Sequence, residues 1–138
     1  YKRFVSYKGK PDTCAIYIAL GDWDSPVGVY TKYSERKLFD RNDSHVIAYA
    51  EFNTGKTVSE YQKLELELEY RAVNREPKYL LVVCSASKYG DYFTGGEGAT
   101  LWVDDFSLEY DYDDSFYLLF NVFLPVVNCN SAYLLLQR

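Results

Sequence analysis

At 138 residues the chain has room for one domain and no more. Hydrophobic residues make up 48% of it, enough to build a core and to argue against wholesale disorder. A formal net charge of -5, with no run of Lys or Arg, argues against a nucleic-acid partner, because neutralising phosphates needs a basic face.

Period-two alternation dominates the chain and predicts strands. Residues 2–7 form a first short one. Over 14–20, Cys14, Ile16, Ile18 and Leu20 share one face, with Ala15, Tyr17 and Ala19 on the other. Residues 46–52 give a further short strand. Over 63–70, Leu64, Leu66, Leu68 and Tyr70 point one way while Glu65, Glu67 and Glu69 point to solvent. Leu and Glu are good helix formers, but a helix would scatter those Leu around its circumference, so the segment reads as a half-buried strand. Residues 79–86 are almost continuously apolar, as in a central strand covered on both faces. Residues 100–110 form another strand, with Asp104 and Asp105 near its middle.

Turn-forming clusters separate these runs: Gly9-Lys10-Pro11-Asp12, then residues 21–28, 41–44 and 90–98. No window carries a capped amphipathic helix. Short strands with turns between them predict an all-β sandwich or barrel. The apolar run FYLLFNVFLPVV after residue 114 is too short to span a bilayer and is interrupted by Asn121 and Pro125. It reads as extra strands closing an edge or as a tail outside the domain, with the balance toward a tail. The chain opens Tyr1-Lys2-Arg3 and contains no Met, so it reads as a fragment of something longer, uninformative on export.

Catalytic constellations are scarce. The single histidine, His45, would have to serve any Ser-His or Cys-His pair alone, and it reads as a loop residue. No GxSxG, HExxH, P-loop or dinucleotide fingerprint occurs. A carboxylate pair is the one remaining route to enzyme chemistry, and Glu65, Glu67 and Glu69 look like a solvated face. Cys14, Cys84 and Cys129 lack the spacing of a metal knuckle. Cys14 and Cys84 read as buried thiols, and a disulfide between them requires their strands to be neighbours or to face each other. Asp104 and Asp105 point to opposite faces in regular strand geometry. One of them either helps bind a structural calcium or accepts backbone amides at a bulge.

The segment 85–100, SASKYGDYFTGGEGAT, is long for a sandwich connection. Flat aromatic rings stack on pyranose faces while polar neighbours bond hydroxyls. Tyr89, Asp91, Tyr92 and Phe93 are therefore candidate carbohydrate contacts, unless the rings merely tuck the loop onto the sandwich. Trp23, Tyr30 and Tyr33 form a second aromatic group that could share the same end.

The stretch YLLVVCSASKYGDYFTGGEGATLWVDDFSLEYD resembles the C-terminal signature of the putative carbohydrate metabolism domain family. Its positions here are Ser85, Ser87, Lys88, Gly95, Gly96, Gly98, Thr100, Leu101, Trp102, Val103, Asp104 and Asp105. The resemblance implies an antiparallel jelly-roll β-sandwich similar to carbohydrate-binding modules. It implies a place at the C-terminus of larger surface lipoproteins and exported proteins of gut bacteria, beside neighbouring domains and at the cell surface. In such modules the Asp of the Leu-Trp-Val-Asp-Asp strand is structural or near calcium. No catalytic residue is carried over. Family members end near Asp111, which divides the chain into a domain at 1–112 and a C-terminal extension at 113–138. The expected function is non-catalytic glycan binding. A structural or adhesive domain is the alternative, and a glycoside hydrolase is less favoured.

Overall fold

The computed structural model describes residues 4–5, 12–30, 32–90, 95–96, 98–110, 116–123 and 132–137. The described residues form strands β1 (Phe4–Val5), β2 (Cys14–Gly21), β3 (Val46–Thr54), β4 (Gln62–Glu67), β5 (Glu69–Tyr70), β6 (Tyr79–Ser85), β7 (Gly95–Gly96), β8 (Trp102–Tyr110), β9 (Phe116–Phe123) and β10 (Ala132–Gln137). Among them there is no α-helix; one 3-10 turn spans Tyr33–Glu35. No helix of the described residues is long and apolar enough to cross a membrane.

All strand pairs are antiparallel. A five-stranded sheet runs β10-β6-β2-β3-β5, a three-stranded sheet runs β4-β9-β8, and β1 pairs with β7. The alternation in 14–20 does what period two requires. Ile16, Ile18 and Leu20 meet Ala48, Ala50, Leu80, Val82 and Cys84 on the inner face of the larger sheet. From the other sheet come Leu64, Leu66, Val103 and Leu108, with Leu68 from the junction. This is a two-sheet β-sandwich with its core between the layers.

The larger sheet is also covered outside. Trp23, Val27 and Phe39, from the long connection between β2 and β3, pack on Ala19, Val46, Leu81 and Val83. That second layer explains why β2 and β6 are buried on both faces. Ile16, Ile18, Leu81, Val82 and Val83 are among the largest fully buried side chains. Each is worth about 1.5–3 kcal/mol in burial.

The segment 63–70 does not form one strand. β4 ends at Glu67 in the smaller sheet, Leu68 is buried, and Glu69 opens β5 in the larger sheet. The chain changes sheets at a corner while its Leu alternation runs on unbroken. The segment 113–138, set apart above as an extension, supplies β9 and β10. β9 lies between β4 and β8, and β10 flanks β6.

Cys14 and Cys84 lie in adjacent strands and are both free and buried, with Cys84 opposite Ile16. Burial pushes the Cys84 thiol up to about 12 and raises Cys14 as well, so both are poor nucleophiles. Cys129 lies outside the described residues.

Candidate functional site

β3 sends Ala48, Ala50 and Phe52 into the core, so Tyr49, Glu51 and Asn53 project from the opposite face. Glu51 is the hub there. Its Oε1 accepts from Asn53 Nδ2 at 2.8 Å and from Lys88 Nζ. Its Oε2 accepts from Tyr49 OH at 3.1 Å and from Arg41 Nη1 at 3.4 Å. Lys88 is held in place because its backbone N–H donates to Thr13 O at 2.7 Å. Burial alone would raise the Glu51 carboxyl. Hydrogen bonds from Lys88, Asn53 and Tyr49, with the Lys88 charge, outweigh it and leave the carboxyl below its ordinary value. Tyr49 is pushed up, first by burial and then by the Glu51 charge.

Aromatic rings and a guanidinium fix the wall beside this hub. Phe39 stacks on Tyr17 at 5.5 Å and on Tyr49 at 6.3 Å between centroids. The Arg71 guanidinium lies 5.3 Å from the Tyr49 centroid, and its Nη1 donates to Arg41 O. β5 pairs only with Ala48 and Tyr49 of β3. An open cleft of about 400 Å³ lies past that pairing, lined by Arg41, Tyr49, Glu51, Glu67, Glu69 and Arg71 together with Ala50 and Leu66. Guanidinium groups only donate and carboxylates only accept, while a hydroxyl does both. A lining that mixes the two therefore suits a polyhydroxylated ligand better than a simple anion or cation.

Among the described residues, those singled out from sequence are dispersed. Trp23 is 7% exposed, its ring edge-on to Phe39 and its Nε1 donating to Asp43 Oδ2 at 3.4 Å. It is a core residue, not a surface platform, because the residues that precede β3 fold over it. Tyr30 is 53% exposed and its backbone bridges to Lys37. Tyr33 opens the 3-10 turn. Tyr89 is half-buried, and Asp91, Tyr92 and Phe93 lie outside the described residues. Trp23 and Tyr89 do not share one end. Trp23 follows the last residue of β2, whereas Lys88, next to Tyr89, bonds Thr13 before its first. Eight residues of strand separate them, about 26 Å.

Asp104 and Asp105 are both exposed at a bulge in β8. Asp105 has φ 53 and donates its backbone N–H to Asp104 Oδ1 at 2.9 Å. Among the described residues no group of three or more His, Cys, Asp or Glu is placed to hold a metal. The pair sits in bulge geometry.

Sequence reasoning missed Arg41, Glu51 and Arg71. Glu51 left a signal, a charge in the outward phase of the apolar run 46–52; the two arginines sit in aperiodic segments and left none. The Gly-rich signature proves to be a structural joint. Asp12 accepts Ser87 Oγ and Gly96 N, both at 2.6 Å, which ties the start of β2 to the end of β6 and to β7.

A family model described as "Putative carbohydrate metabolism domain" matches residues 2–109. No curated protein and no solved structure matches the chain.

Proposed function

The chain belongs to the putative carbohydrate metabolism domain family, and we propose that it is a non-catalytic module that binds glycan in the cleft beside Glu51. The observation that carries this is the mixed lining: Arg41 and Arg71 supply donors, and Glu67 and Glu69 supply acceptors. Adjacent sugar hydroxyls match such pairs. A glycosidase acid needs a raised carboxyl pKa, and the bonds from Lys88, Asn53 and Tyr49 outweigh burial to hold Glu51 below its ordinary value, so Glu51 does not serve as that acid. In its parent protein the module would be exported to a bacterial surface and would hold glycan for neighbouring domains.

A glycan-array screen of the whole chain, followed by calorimetry on any hit, tests the proposal. Saturable binding that Arg71→Ala abolishes in a folded protein supports it. A folded protein that binds no glycan sinks it. The exposed Tyr30 and Leu38, 53% and 38% accessible, would then favour the adhesive alternative.

A further inference from the structure

The outer face of the three-stranded sheet carries two exposed aromatic side chains at one level. Trp102 is 53% exposed and Tyr61 is 49% exposed. Leu101 and Val103 pack against the core, so Trp102 between them faces away from it. On β4 the core-facing residues are Leu64 and Leu66. Tyr61 shares the opposite phase with the exposed Lys63 and Glu65.

Register sets the level. Trp102 lies opposite Phe123 on β9, and Gln62 lies opposite Val122. Continuing that register by one residue puts Tyr61 level with Phe123. Trp102 thus sits on one outer strand and Tyr61 immediately before the other, with β9 between them, about 9–10 Å apart from two interstrand spacings. The next level offers charged groups on the same strands, since Asp104 and Lys63 are both opposite Asn121 and both exposed.

We infer that this face is a second glycan-contact surface, fitted to an extended β-1,4-linked polysaccharide chain, an inference that rests on the glycan reading of the cleft. Successive units of such a chain turn over, so alternate units present the same apolar ring face to one side. The two rings, one on β8 and one just before β4, receive those alternate units, and Asp104 and the Lys63–Glu65 ion pair bond the hydroxyls at the rim. The cleft takes a few sugar units by polar contacts, whereas the aromatic pair needs length. The two surfaces therefore differ in what they ask of the ligand.

The whole chain is titrated with the hexasaccharides of β-1,4-linked glucose, xylose and mannose, and with the three monosaccharides. Acrylamide quenching of tryptophan fluorescence is the readout. Trp23 is buried, so the quenchable signal comes from Trp102. Binding of a hexasaccharide should shield Trp102. Trp102→Ala and Tyr61→Ala, checked for folding by circular dichroism, should each weaken hexasaccharide binding about tenfold or more in calorimetry. Neither should change the response to monosaccharide. Hexasaccharide binding that survives both substitutions but is lost in Arg71→Ala overturns the aromatic surface and leaves the cleft standing. A wild-type protein that is folded and binds no sugar overturns both. A concentration-dependent dimer that Trp102→Ala disperses assigns the face to a second copy of the chain, and overturns the inference.

Discussion

Ser87 donates its hydroxyl to Asp12 across 75 positions of sequence, at 2.6 Å, and the second Asp12 oxygen accepts Gly96 N at the same distance. Ser87 is 6% exposed, so its hydroxyl has little access to water as a substitute partner. Asp12→Ala should cost about 1–3 kcal/mol, the range for stranding buried donors. Asp12→Asn keeps an acceptor and should cost less. Urea denaturation of both variants checks the ordering; equal midpoints for Asp12→Ala and the wild type would remove this joint from the account.

Trp23→Ala should behave as a core truncation and cost about 3–5 kcal/mol. Gly21→Ala should disturb the same ring from the other side, because a Cβ on Gly21 would overlap Trp23. Overpacking of this kind costs about 1–3 kcal/mol. Differential scanning calorimetry measures both, and the emission maximum should shift to the red in Gly21→Ala as Trp23 is displaced.

Two carboxylates make stability fall in acid. The Arg75 hydrogen bond, aided by His45 and opposed by burial, holds Asp22 below its ordinary 3.8. Glu51 lies below its ordinary 4.5 because the bonds from Lys88 and its neighbours outweigh burial. In both, the folded value is below the unfolded one, so the unfolded state takes up protons first as pH falls. Their contribution is complete above the ordinary carboxylate values and is lost as pH drops through the folded ones. Denaturation midpoints followed from about pH 7 to about pH 3 should decline less steeply in Asp22→Asn and Glu51→Gln than in the wild type.

Arg71→Ala should weaken glycan binding in the cleft by roughly 10–100-fold, as expected for charge-assisted hydrogen bonds. Its backbone bond to Ile47 O survives the substitution, so the fold should be retained. Arg71→Lys should not restore affinity, because an ammonium lacks the planar fork and stacks poorly on Tyr49. Calorimetry on the two variants against one glycan decides it.

Much of the sandwich is legible in alternation, and its failures have physical causes. Ile16 and Ile18 against Tyr17 is a two-state pattern that periodicity reports directly. The break at Leu68 is invisible to it, since period two records which way a side chain points and not which strand lies beside it. Trp23 has the composition of a surface aromatic, and only the approach of Phe39 and Val83 makes it core. Trp102 was accessible to reasoning, because it alternates with two core residues, Leu101 and Val103. The cleft was not, because Arg41, Glu51 and Arg71 meet only when a loop, a strand and a corner are folded together.

The position of β9 between β4 and β8 also orders events on the ribosome. The larger sheet can begin pairing once Ser85 has emerged, since β2, β3 and β6 are by then all available. The smaller sheet must wait for Phe116, 31 residues later, or roughly 2–6 s at ordinary rates of synthesis. For that interval Ile16, Ile18 and Val82 lie on a sheet face that β9 has not yet helped to cover, an apolar surface open to aggregation until synthesis reaches it.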